Sequence, residues 1–211
     1  MRRVFVDPGS PQRDALQEAG KWIRHGGVVA MPTDTLYGLA ADPFQPDAVA
    51  RVVAVKGRSA EKAMALIAAD IEQAVAHLGP LSPAAARLAE RFWPGPLTLL
   101  VPAPPRLGDA ITGGTGRVGV RVPADAVAQA ICRAAGRPVT ATSANRSGEP
   151  ATDNPDVVDA SLGGELDLLI DAGRTRGGAP STIVDTTEDP PRLIRAGAID
   201  WQEIAPWLDR R

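Results

Sequence analysis

Cysteine is almost absent from this chain: 211 residues contain one, Cys132, which excludes an internal disulfide and any cysteine-built metal cluster. The two histidines, His25 and His77, lack the spacing of a metal pair. Positive charge is not in excess either, since 23 Lys and Arg against 25 Asp and Glu leave a net charge of −2. No global field is available to hold a polyanion, so any anion site must be local. No uninterrupted apolar run approaches the roughly 18 residues that span a bilayer. The start, MRRVFVDPGS, reaches Asp7 and Pro8 before an apolar segment forms. A reducing, cytoplasmic location without a membrane partner is the expectation. A Walker GxxxxGK[ST] motif is missing as well.

Glycine (21) and proline (20) are frequent, as in chains of many short elements joined by defined turns. With 44% hydrophobic residues, the chain can bury one sizeable core, and a single domain over 1–211 is expected. Short β-rich runs stand at Val28–Met31, Met64–Ala68, Leu97–Val101, Val118–Val122, Pro138–Ala141, Asp167–Ile170, Thr182–Asp185 and Arg192–Arg195. Helical patterns cover Asp47–Lys56, ended by Gly57, and Ser82–Phe92, with an N-cap serine and a first-turn proline. A further helix covers Ala124–Ala135, ended by Gly136, and Asp200 with Glu203 forms a capping pair for a short last helix. Strands alternating with helices indicate an α/β fold, whereas consecutive strands near 97–122 and 182–195 lack crossovers and imply antiparallel pairs. The expected architecture is a twisted, mixed parallel and antiparallel open sheet flanked by helices. Residues 102–117, PAPPRLGDAITGGTGR, show no evident element, and a loop of that length borders a cleft more often than not.

Several patterns invite a functional reading. Gly114 to Gly119 spells GxGxxG, but a loop precedes it and a strand follows, the reverse of the dinucleotide context. Ser59 to Lys62 spells SxxK and Ser143 to Asn145 spells SxN, yet no KTG follows, which argues against a serine acyl-transferase. In GGVVAMPTDTLYGL, Pro32 ends a β-type run, and Thr33, Asp34, Thr35 and Tyr37 then stand where α/β sheets bind ligands. The same letters read equally well as a self-bonded turn. TATSANRSG offers neutral donors and acceptors at Ser143 and Asn145, and STIVD followed by RLIRAG puts Ser181 at the start of one strand and Arg195 at the end of the next. KGRSAEKAMALI gathers Lys56, Arg58 and Lys62 just past a helix terminator.

Taken together and in order, PTDTLYG, Lys56-x-Arg58, GVRVP, Ser143-x-Asn145 and STIVD with Arg195 resemble the YrdC-like threonylcarbamoyl-AMP synthases, in their short single-domain form, from about Gly26 to Gly197. The resemblance implies a YrdC-like fold with a concave cleft and a nucleotidyltransferase. L-threonine, bicarbonate and ATP would give threonylcarbamoyl-AMP and pyrophosphate, for N6-threonylcarbamoyladenosine in tRNA. It also implies Lys56 and Arg58 as catalytic groups, with Arg58, Lys62, Arg117, Ser143, Asn145 and Arg195 at the nucleotide. Thr35, Ile67, Arg121, Ala141 and Ser181 would take the threonine. Magnesium is expected to arrive with ATP, since no clustered carboxylates mark a protein site, although Asp34 is one candidate ligand. The downstream partner would be the tRNA threonylcarbamoyltransferase complex. Departures from the family pattern are PTDT for PTET, and Ser59 and Ala63 where prolines are usual. Other roles for this fold are an RNA-binding module, with weak tRNA binding, or a carbamoyltransferase-type adenylation. The net charge of −2 and 4% aromatics weigh against RNA binding as the main role.

Overall fold

The computed structural model describes residues 1–57 and 63–208. Arg58 and Lys62 fall outside the described residues. In chain order the elements are β1 (Arg2–Phe5), α1 (Arg13–Arg24), β2 (Val29–Met31), β3 (Gly38–Ala40), α2 (Pro46–Lys56), β4 (Leu66–Ile67), α3 (Ile71–Leu78), α4 (Pro83–Phe92), β5 (Leu97–Pro102) and α5 (Asp109–Thr112). There follow β6 (Arg117–Arg121), α6 (Ala126–Ala135), β7 (Val139–Thr140), β8 (Thr142–Ser143), α7 (Pro155–Leu162), β9 (Leu168–Asp171), β10 (Thr182–Asp185), β11 (Arg192–Arg195) and α8 (Trp201–Ile204).

The strands form two mixed sheets, where one was expected. A five-stranded sheet has the order β1-β9-β2-β3-β8, and a six-stranded sheet the order β11-β10-β5-β6-β4-β7. The two antiparallel pairs anticipated from the missing crossovers are present, β5 with β6 and β10 with β11. Parallel pairing joins β1 and β2 to β9, β10 to β5 and β4 to β6. The uninterrupted apolar run at β2 is explained by burial on both faces. Val29 and Met31 pack with α1 and α6 in one cluster, and Val28 and Ala30 with α2 and α4 in the other.

Local chemistry fixes the helix ends. Ser82 Oγ accepts from the Ala85 N–H at 3.2 Å, and Asp125 Oδ1 accepts from Ala128 N–H at 2.8 Å. Gly57 closes α2 at φ 58°, ψ 38°, a left-handed turn that glycine adopts without a Cβ penalty. At the last helix, Asp200 caps alone through Gln202 N–H at 2.8 Å, so the Asp200/Glu203 pairing is not the one formed. The segment 102–117 is not structureless, because α5 occupies its middle and the Ile111 carbonyl accepts from Met64 N–H at 2.9 Å. That bond ties the segment to the chain leaving the 58–62 stretch. Cys132 is fully buried, and burial pushes its thiol far above the ordinary range, leaving it a small apolar core residue. No described helix is long and apolar enough to cross a membrane.

Candidate active site

A seam in the backbone creates the site. Val139 and Thr140 belong to the six-stranded sheet, Thr142 and Ser143 to the five-stranded one, and Ala141 alone lies between them. Ala141 N–H still donates to Ala65 O at 2.9 Å, and Ser143 already pairs with Gly38. The sheets therefore diverge from this point, and a cleft of about 410 Å³ opens between them.

One wall is a single cross-strand row of the six-stranded sheet. Arg195 pairs with Ile183, and Ile183 with Thr98. Leu99 faces Val120 and Leu100 faces Gly119, so the next pair outward is Thr98 with Arg121, and Arg121 in turn pairs with Ile67. Residues directly opposite one another share a face, and all five line the cleft. Three strand spacings separate Arg195 from Arg121, or about 14 Å at roughly 4.8 Å per strand. The facing wall carries Thr35, Gly38, Thr142 and Ser143. Among the described residues no carboxylate lines the cleft, whereas two arginines, Arg121 and Arg195, do.

Arg121 is buried and fixed. Its Nη1 donates to Asp34 Oδ1 at 2.5 Å, and Asp34 Oδ2 accepts from Ala124 N–H at 3.1 Å. Both oxygens of Asp34 are thus engaged, holding the guanidinium against the chain after β6. Among the described residues no group of three or more histidine, cysteine or carboxylate side chains is placed to hold a metal. At the other end of the row, Arg195 donates through Nη2 to Ser181 O at 2.7 Å and to Ser181 Oγ at 3.2 Å, with no carboxylate partner among the described residues. Partial desolvation first, and repulsion from Arg121 second, lower its pKa.

Gly197 explains how Arg195 comes to meet Ser181. A Cβ there would stand 2.3 Å from Pro180 O and 2.5 Å from Ser181 C, while Ala198 N–H donates to Pro180 O at 2.9 Å. Only a residue without a side chain lets the chain after β11 close on Pro180 and Ser181. Gly197→Ala is expected to cost about 1–3 kcal/mol of stability through overpacking and to displace Arg195 from Ser181. Urea unfolding together with ATP affinity checks this, and a variant equal to wild type in both refutes it.

The turn after β2 is self-bonded and also faces the cleft, so both readings of PTDTLYG hold. Thr33 Oγ1 donates to Leu36 O at 2.7 Å and accepts from Thr35 N–H at 3.2 Å. Thr175 Oγ1 donates to Thr35 O at 2.6 Å, and Tyr37 OH donates to Gly173 O at 2.7 Å, binding the turn to the segment after β9. Thr35 remains a lining residue.

Lys56 stands behind Ser143 instead of lining the cleft. It is 4% exposed, and its ammonium donates to Ser143 O at 2.7 Å, Ser143 Oγ at 3.2 Å and Asn145 Oδ1 at 2.8 Å. Asn145 Nδ2 donates onward to Arg146 O and Glu149 O at 3.0 and 2.6 Å. The end of α2 is thereby bolted to the SAN segment.

Of the residues expected at the site, Thr35, Ile67, Arg121, Ala141, Ser143, Ser181 and Arg195 line one cleft, and Lys56 and Asn145 support it from behind. Arg117 is not brought in: at the far end of β6, its Nη1 donates to buried Asp185 at 2.5 Å, with Glu188 at 3.7 Å. Burial raises the Asp185 pKa, but hydrogen bonds from Thr187 and the Arg117 guanidinium outweigh it and hold the carboxyl below the ordinary range. Thr98 and Ile183 were not anticipated. For Thr98 the available signal was a polar residue inside the otherwise apolar strand LTLLVP, which needs a partner once buried.

Comparison with known proteins gives the family and the fold. The family model for Sua5, YciO and YrdC, described as telomere recombination, matches residues 21–197. A threonylcarbamoyl-AMP synthase of Pyrococcus abyssi is 40% identical over 189 residues, covering 90% of this chain and 56% of that protein. One of Bacillus subtilis is 36% identical over 207 residues, covering 96% and 60%. The crystal structure of P. abyssi Sua5 complexed with L-threonine aligns with a TM-score of 0.93 at 36% identity, over 99% of this chain and 61% of that one. The chain thus spans about three fifths of the length of these relatives.

Proposed function

Since the chain belongs to the Sua5/YciO/YrdC family, we propose that it is a threonylcarbamoyl-AMP synthase, converting L-threonine, bicarbonate and ATP to threonylcarbamoyl-adenylate and pyrophosphate. The observation that carries this reading is the cleft, lined by no carboxylate among the described residues, with Arg121 and Arg195 about three strands apart in one row. Every reactant is anionic, and two anions meet only where fixed cations offset their repulsion. The names of the curated relatives and the threonine bound to P. abyssi Sua5 support threonine and ATP as substrates.

In this reading Arg121 grips the threonine carboxylate. Asp34 occupies one of its guanidinium nitrogens, and the remaining N–H groups stay available for a two-point contact that a lysine would hold less directionally. The threonine amine combines with bicarbonate, releasing water, to give a carbamate. A carbamate oxygen then attacks the α-phosphorus of ATP, the bond to the β-phosphate bridging oxygen breaks, and pyrophosphate departs. Arg195 and the Ser143–Asn145 segment attend the nucleotide, and the contribution of the protein is positioning and charge stabilisation without a covalent intermediate. The described residues offer no carboxylate set for magnesium, so the ion would travel on the triphosphate, and no step is assigned to it. The product would pass to the tRNA threonylcarbamoyltransferase complex.

Pyrophosphate release with ATP and bicarbonate, measured with and without L-threonine, tests the reading; release that does not depend on threonine sinks it. Ala141, at the seam between the sheets, lines the amino-acid end with a single methyl. Ala141→Leu is expected to raise the KM for threonine at least about tenfold by filling space the ligand needs, with the KM for ATP nearly unchanged. An unaltered threonine KM refutes the placement.

A further inference from the structure

Thr98 is a cleft residue to which neither the motifs nor the proposed chemistry gives a role. It lies in the middle of the row, between Ile183 and Arg121, and is 2% exposed. Its hydroxyl has one hydrogen-bond partner among the described residues, Ser181 Oγ, at 2.8 Å. The direction of that bond follows from what surrounds it. Arg195 Nη2, 3.2 Å from Ser181 Oγ, can only donate, so it occupies one lone pair of the serine oxygen. If Ser181 donated to Thr98, the buried threonine proton would have no acceptor among the described residues, and an unmade buried donor is costly. If Thr98 donates, its proton is satisfied, both lone pairs of Ser181 Oγ are filled, and the serine proton is left for the open side of the residue, the cleft.

We propose that Thr98 is a positioning residue, which, together with Arg195, holds the Ser181 hydroxyl as a hydrogen-bond donor aimed into the cleft, so that Ser181 receives an acceptor oxygen of the amino-acid substrate and never its amine. This rests on the threonine-dependent reading above. It also gives the row a division of labour: Arg121 supplies charge to the ligand, while Thr98 contributes through the orientation of its neighbour. Gly119 makes room for this side chain, since a Cβ there would stand 3.1 Å from Thr98 Cγ2.

Thr98→Val keeps the branched shape that suits a strand and removes only the hydroxyl, whereas Thr98→Ser keeps the hydroxyl. Calorimetric titration of each purified variant with L-threonine, and separately with ATP, gives the affinities, and pyrophosphate release gives turnover. The expected result for Thr98→Val is a Kd for threonine about three- to tenfold weaker, the range for losing one oriented hydrogen bond, with the Kd for ATP unchanged. Thr98→Ser is expected within about twofold of wild type. In a Ser181→Ala background, Thr98→Val is expected to add nothing, because Thr98 acts only through the serine. Full threonine affinity in Thr98→Val, or effects of the two substitutions that simply add, overturns the positioning role while leaving the synthase reading intact. Wild-type protein that binds no threonine overturns both.

Discussion

Arg121→Ala is expected to destabilise the protein by about 3–5 kcal/mol, the cost of leaving a buried charge without its partner. Asp34 and Arg121 have side chains only 6% and 9% exposed, so the carboxylate left behind retains little beyond the Ala124 N–H. Denaturant midpoints measure the loss. The double variant Arg121→Ala/Asp34→Asn removes the stranded charge and should recover most of the stability. It should not recover the chemistry: the KM for threonine is expected to remain raised about 10- to 150-fold, the range for a hydrogen bond to a charged group, with the KM for ATP little changed. Stability restored together with threonine affinity would reduce Arg121 to a structural ion. Arg121→Lys, which keeps the charge and loses the planar fork, should fall between the two.

Lys56→Met is expected to lower turnover by about one to three orders of magnitude, because the SAN segment that it holds at the nucleotide would lose its support. Methionine matches the length of the lysine stem but offers no donor. Ser143 O, Ser143 Oγ and Asn145 Oδ1 would then face a thioether, at about 1–3 kcal/mol for each buried group left unsatisfied. The damage should appear at the nucleotide: a weakened KM for ATP and a lower kcat, with the Kd for threonine close to wild type. A folded Lys56→Met protein with normal turnover would show that the bolt between α2 and the SAN segment does not matter to catalysis.

Much of the fold was legible because local and global signals agree. Gly57 and Gly136 end their helices as left-handed residues, Ser82 and Pro83 open α4, and β5, β6, β10 and β11 pair as the missing crossovers require. What escaped was carried by long-range pairing. Gly38–Ala40 and Thr142–Ser143 are too short to announce themselves as strands, and they exist because the first pairs with β2 and the second with the first. The helix α1 has a clear buried stripe of Ala15, Leu16, Ala19 and Ile23 but only Gln12 at its cap, without a side-chain bond, so the usual start signal is missing. The division into two sheets depends on a change of partner within five residues, for which periodicity carries no mark.

The site shows the same division. Arg121, Ser181 and Arg195 stood out as polar groups at strand ends in ordered motifs, and they meet in the cleft. The distinction between Lys56 as a contact and Lys56 as a support required three distances, and Arg117, only four residues from Arg121, proved to be engaged with Asp185. Thr98 was hidden because a threonine among leucines in a strand is ordinary until its partner is known.

The one-residue crossing at Ala141 also limits how this protein can change over evolutionary time. Side chains alternate along a strand with period two, so inserting or deleting a single residue between Thr140 and Thr142 would turn Ser143 away from the cleft and break its pairing with Gly38. Substrate preference can therefore drift by substitution at this crossing but not by a change in length. Length variation should concentrate instead in connections such as 176–179, between the anchors at Thr175 and Pro180, where no strand register would be lost. A collection of functional variants selected from an indel library would be expected to spare 139–143 altogether.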